Sequence, residues 1–105
     1  MPRPLGLTSL RILAAIRDGV TYGLEIVAHS GVPSGTVYPG LGRLTNSGLV
    51  RSRWEDHLVA EAEARPRRRY YELTADGERA LAEGVARVAA AANDLAPGQA
   101  GGGRA

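Results

Sequence analysis

At 105 residues, with 44% apolar and 23% charged side chains, the chain has the size and composition of one soluble globular domain. The absence of cysteine excludes disulfides and thiolate metal ligands, and no apolar run approaches the roughly 20 residues of a membrane-spanning helix. The net charge is only +2, but all 13 basic residues are arginine, and Arg65, Arg67, Arg68 and Arg69 lie almost side by side.

The N-terminus lacks the apolar run of a secretory signal, so a cytoplasmic protein is expected. Thr8 or Ser9 can cap a first helix that runs to Arg17, with Leu10, Leu13 and Ile16 at helical spacing and Asp18-Gly19 as its stop. Thr21 then caps a short second helix, Tyr22 to Ser30, with Leu24, Val27 and Ala28 on one face. Gly31 ends it. Val32-Pro33-Ser34 forms a turn whose serine caps a third helix reaching Ser47, closed by Gly48 in a left-handed position. From Leu49 to Glu55 the side chains alternate, with Val50, Ser52 and Trp54 on one side, which is strand-like. A loop from Asp56 to Arg68 leads to a return strand, Arg69 to Leu73. Thr74 caps a long last helix from Ala75, and Pro97 ends any helix before a Gly-rich tail.

Three short helices followed by a hairpin make a mainly α fold with a small β-hairpin, a winged helix-turn-helix. The expected division is a DNA-binding domain over 5–74, a C-terminal dimerisation helix over 75–95 and a disordered tail over 96–105. In the third helix Val37, Leu41 and Leu44 form the inward stripe. Gly35, Tyr38, Pro39, Gly42, Arg43 and Asn46 fall on the other side, and the Ser34 and Thr36 hydroxyls sit at its start. Small and polar side chains let a helix backbone approach base edges in the major groove. Pro39, Gly40 and Gly42 weaken this helix, so it depends on tertiary packing and its first turn is expected to be irregular.

The run Gly35-Thr36-Val37-Tyr38-Pro39-Gly40-Leu41-Gly42-Arg43-Leu44, followed by Ser47-Gly48-Leu49-Val50, resembles the third-helix signature of PadR-type transcriptional regulators. Arg65-Pro66-Arg67-Arg68-Arg69-Tyr70-Tyr71-Glu72-Leu73-Thr74 with Gly77 resembles the same family's wing and the start of its last helix. Tyr22-Gly23-Leu24-Glu25-Ile26 resembles the opening of its second helix. The resemblance implies a homodimeric repressor on a palindromic promoter site, sometimes released by a small-molecule effector or a stress signal. It also implies that Ser34, Thr36, Tyr38, Pro39 and Arg43 face double-stranded DNA. Arg67, Arg68 and Arg69 of the wing would then grip an adjacent groove or the backbone. Two departures stand out. Gly40 and Gly42 replace the family's usual alanine and larger polar residue, and the segment from Glu55 to Ala64 is longer and more acidic than the family's wing. That segment is expected to turn away from DNA, for instance as a short helix, or to weaken DNA affinity. The short C-terminal part resembles the subgroup with a single helix there, which implies no large ligand-sensing domain.

In the last helix Leu81, Val85, Val88, Ala92 and Leu95 are spaced 4, 3, 4 and 3, a coiled-coil seam suited to dimerisation. An enzyme is not expected, nor a cofactor or metal. His29 and His57 lack a partner at zinc-binding spacing, and Glu61 and Glu63 sit in a charged loop where solvation is the simpler role. Two competing functions remain. One is a winged-helix protein-interaction module or antagonist that does not bind DNA. The other is a ligand-responsive regulator in which Trp54 and Tyr71 line a pocket, although on core-facing strands both more often serve packing.

Overall fold

The structure, a computed structural model, describes residues 4–98. Its elements are α1 (Leu7–Arg17), α2 (Gly23–Ser30), α3 (Ser34–Asn46), β1 (Val50–Trp54), α4 (His57–Ala62), β2 (Arg69–Leu73) and α5 (Ala75–Leu95). One core joins Leu10, Ile12, Leu13 and Ile16 of α1 to Ile26, Val37, Leu41, Leu44, Val50 and Leu81. The two strands pair antiparallel, with Val50 opposite Leu73 and Trp54 opposite Arg69. Of the tail expected to be disordered, Ala96–Gly98 are irregular, and 99–105 lie outside the described residues.

The beginnings of the first two helices differ from expectation. Gly6 occupies the cap position of α1 without a side-chain bond, and Thr8 and Ser9 lie inside the helix. Tyr22, not Thr21, precedes α2. The Thr21 carbonyl instead accepts the Tyr71 N–H at 2.8 Å, which ties the chain before α2 to the hairpin. The inward stripe of α2 is Gly23, Ile26 and Val27, while Leu24 is 72% exposed and Ala28 is also exposed. Tyr38 of α3 fits this orientation, its ring lying where a Gly23 side chain would be, 2.5 Å from an ideal Cβ. With the Gly23 side of α2 inward, Ile26 follows at i+3.

Helix α3 is regular from Ser34, so the expected irregular first turn is absent; extended Pro33, not Ser34 as expected, holds its cap position, with no side-chain bond. Both Thr36 and Val37 donate to the Pro33 carbonyl at 2.9 Å, which tightens that turn. Pro39 has no N–H to offer the Gly35 carbonyl, but Gly35 is exposed and its carbonyl is open to water. Val37, Leu41 and Leu44 are buried as expected, and Gly40 joins them beneath Ile12. Gly42 differs: an added Cβ meets nothing within 4 Å. Gly42→Ala should therefore stabilise the fold by about 0.5–1 kcal/mol through helix propensity. A thermal melt that moves downward would contradict this.

Helix α5 is fastened to the end of α3. The Thr74 hydroxyl donates to the Gly48 carbonyl at 2.6 Å and accepts the Gly77 N–H at 3.0 Å. The Leu49 carbonyl accepts the Thr74 N–H at 3.1 Å. It lies so close to α5 that an ideal Cβ on Gly77 would sit 2.0 Å from its oxygen. One turn further, Leu81 is buried in the core of its own domain, so it cannot also form a seam with a second chain. Gly84 then packs against Leu10 of α1. Beyond Gly84, Arg87 donates to the Leu5 carbonyl, but the apolar stripe is open among the described residues: Val85 and Val88 are about half exposed, and Ala92 and Leu95 are exposed.

Candidate nucleic-acid interface

Helix α3 presents Ser34, Gly35, Thr36, Tyr38, Pro39, Gly42, Arg43 and Asn46 to solvent. This face follows directly from the inward stripe of Val37, Gly40, Leu41 and Leu44. Tyr38 belongs to both sides. One edge of its ring packs on Gly23, yet the side chain remains 46% exposed. Among the described residues Arg43 has no carboxylate partner, which leaves its charge available.

The wing is organised by Glu55, which is 5% exposed. Its carboxylate accepts two bonds from the Arg65 guanidinium, both 2.8 Å, a third from the Arg68 N–H at 3.2 Å and a fourth from the Tyr70 hydroxyl at 3.1 Å. Its backbone N–H donates to the Arg68 carbonyl, and its own carbonyl accepts from Arg67 Nε at 2.9 Å. The chain between Glu55 and Arg65 closes on itself through α4, whose first turn is capped by Asp56 accepting the Leu58 N–H at 2.9 Å. Ala64, with φ +53°, makes the left-handed turn that returns Arg65 to Glu55.

These bonds hold the Glu55 carboxyl far below its ordinary value of 4.5, down to about 2. The Arg65 guanidinium is the main cause, with the Arg68 N–H and Tyr70 hydroxyl adding to it against the opposing effect of burial. A depressed folded-state value stabilises the protein above pH 4.5, and that contribution disappears as pH falls toward 2. Wild-type protein should thus lose stability more steeply than Glu55→Gln across this window. Urea midpoints at several acid pH values would check it, and parallel curves would contradict it.

By charge alone, the acids of the wing would offset its arginines. The structure instead confines most of that pairing to Arg65, which binds Glu55 and Glu63. The side chains of Arg67, Arg68 and Arg69 have no carboxylate partner among the described residues and lie against aromatic rings. Arg68 sits 4.1 Å above Tyr22, and both Arg67 and Arg69 are 5.5 Å from the centre of Trp54. Arg53 stacks in the same way on Tyr70, at 5.0 Å, and Tyr70 meets Tyr22 edge to face. Trp54 is therefore not a core residue. It is 55% exposed at the end of β1, whereas Tyr71 is half-buried against the core.

Helix α3 and the root of the wing line common concavities. One, of about 320 Å³, is bordered by Tyr38, Gly42, Asn46 and Arg69. Another, of about 380 Å³, lies between Tyr22, Tyr38, Trp54 and Arg67–Arg69. Both sides of this surface are among the residues expected from sequence, but Tyr22, which lines the second concavity, and Arg53, Glu55 and Tyr70, which brace the wing behind it, are not. The adjacent arginine and aromatic pairs Arg53-Trp54 and Arg69-Tyr70 are the signal that could have pointed to Arg53 and Tyr70; nothing comparable marks Tyr22 or Glu55. No group of three His, Asp or Glu side chains that could hold a metal occurs among the described residues.

Comparison with known proteins agrees with this geometry. The family model described as transcriptional regulator PadR-like family matches residues 12–83. A PadR-like transcriptional regulator from Bacillus cereus superposes with a TM-score of 0.66 at 26% identity, covering 90% of this chain and 95% of that one. A PadR family regulator from Clostridium difficile gives 0.71 at 22% identity, over 86% and 98% of the two chains. BpsR of Bordetella bronchiseptica, whose DNA binding is regulated by 6-hydroxynicotinic acid, gives 0.69 at 21% identity, over 95% and 74%. No curated protein sequence matches the chain.

Proposed function

The chain belongs to the PadR-like family of DNA-binding transcriptional regulators, and from that premise we propose that it is a homodimeric repressor of a pseudo-palindromic operator. The observation that carries the proposal is the shared surface of α3 and the wing root, where exposed small and polar residues adjoin Arg69. In this reading Ser34, Gly35, Thr36, Tyr38, Pro39, Arg43 and Asn46 meet the major groove. Arg67, Arg68 and Arg69 hold adjacent phosphates. Selection of bound sequences from a random duplex library tests it: a two-fold consensus with half-sites about one helical turn apart is expected. A non-repeating consensus would exclude the paired geometry.

Dimerisation is assigned to the uncovered end of α5, through Val85, Val88, Ala92 and Leu95, with Leu81 left in its own core. Val88→Glu places a charge at the centre of that stripe. It should raise the dimer dissociation constant by about 100-fold, since burying an unpaired charge is strongly unfavourable. Sedimentation that finds the variant as dimeric as wild type would overturn the assignment.

Regulation of BpsR by 6-hydroxynicotinic acid supports a small-molecule effector here too. The cavity of about 560 Å³ bordered by Ile16, Thr21, Tyr71, Leu73 and Leu81 has room for one. A cytoplasmic site of action is part of this proposal and is supported by the DNA-binding role; no helix among the described residues is long and apolar enough to cross a membrane. One observation favours a second reading, contact with protein instead of DNA. Helix α4 exposes Leu58 and Val59 beside Glu61 at the wing tip. A gel shift on random duplex over a salt series separates the two, because only the DNA reading gives salt-sensitive binding.

A further inference from the structure

We propose that Trp54 is a positioning residue of the wing, its indole holding Arg67 and Arg69 ready for DNA phosphates before contact is made; this rests on the DNA-binding role of the wing. An arginine side chain loses rotamer freedom when it binds, and that loss weakens binding unless the side chain is already ordered. A carboxylate would order it but neutralise it, and would have to be displaced by phosphate. An aromatic face orders the guanidinium while leaving its charge and its in-plane N–H groups available.

The contacts around Trp54 fit this account closely. Both guanidinium groups lie over the one ring, each 5.5 Å from its centre. Each uses only its Nε, and only on a neutral acceptor: Arg67 on the Glu55 carbonyl at 2.9 Å and Arg69 on Ser52 Oγ at 3.1 Å. Their Nη groups make no hydrogen bond among the described residues. The ring itself is more than half exposed and contributes nothing to the buried core, so packing does not explain it. Arg65 makes the contrast clear, since its charge is taken up by Glu55 and Glu63.

The test uses the full chain with Trp54→Leu and Trp54→Phe. Nitrogen relaxation of the Arg67 and Arg69 Nε–H groups in free protein should show restricted side chains in wild type and mobile ones in Trp54→Leu. On random duplex DNA, Trp54→Leu should bind about 5- to 30-fold more weakly, because two arginines are no longer preorganised. Its salt slope should stay unchanged, because the number of phosphates neutralised is the same. Trp54→Phe should recover most of the affinity. Unchanged affinity in Trp54→Leu, or weaker binding with arginine mobility unaltered, would overturn the positioning role while the wing's DNA role stands. Ordered arginines in a wild-type protein that binds no DNA would overturn both.

Discussion

Gly77→Ala is expected to destabilise the protein by about 3 kcal/mol or more, lowering its melting temperature by about 12 °C or more. Helix propensity alone predicts the opposite sign, since alanine is favoured over glycine inside a helix by about 1 kcal/mol. The clash outweighs propensity because of what the new methyl group meets. It falls 2.0 Å from a backbone oxygen, that of Leu49, which cannot rotate aside as a side chain can. That peptide is also held in place: the Leu49 N–H donates to the Leu44 carbonyl at 3.0 Å and its carbonyl accepts from Thr74. Relief therefore requires α5 to move off the end of α3, breaking the cap at Thr74 and lifting Leu81 from the core. Gly42→Ala makes the same chemical change with nothing nearby, so the two variants should shift in opposite directions in one set of melts. Equal shifts would contradict the close approach of α5 to Leu49.

The second large effect concerns affinity. Arg67→Ala combined with Arg68→Ala should weaken binding to every duplex sequence alike, by about two orders of magnitude if each arginine supplies one charge-assisted bond to phosphate. The log–log salt slope should fall by about 1.8, or about 0.9 for each phosphate that is no longer neutralised. Both side chains lack a carboxylate to bind instead, so little of their charge is already used within the protein. Phosphate contacts position a protein on DNA, whereas base contacts select the sequence. Arg43→Ala should accordingly change which sequences are preferred while altering the salt slope less. A double variant with wild-type affinity and slope would remove the wing from the interface.

Much of the architecture is legible in local pattern. The bounds of β2, the buried stripe of α3 and the Thr74 cap all follow from spacing and capping chemistry. What escapes is set by the meeting of distant residues. Leu24 is as apolar as Ile26, and only the arrival of the other core elements, with Tyr38 seated on Gly23, shows which of them is buried. Gly77 and Gly84 look like weak points of a helix until Leu49 and Leu10 arrive beside them. Leu81 fits a seam by spacing, yet the domain claims it first. Within the candidate site, Glu55 reads as one more acid in an acidic segment, because its tie to Tyr70 exists only once the strands pair and its tie to Arg65 only once α4 folds back.

Tyr22 and Tyr70 form an isolated antiparallel bridge, and the Thr21 carbonyl accepts the Tyr71 N–H, so the hairpin is stitched to the chain entering α2. Tyr38 of α3 is seated on Gly23, one residue further along. Helix and wing are thereby two jaws of one calliper with little freedom to open. A duplex gripped by both must present its groove and its flanking phosphates at the separation the jaws allow. Sequences that reach that separation with little bending or twisting will be favoured at positions no side chain touches. The protein would then measure DNA as well as read it.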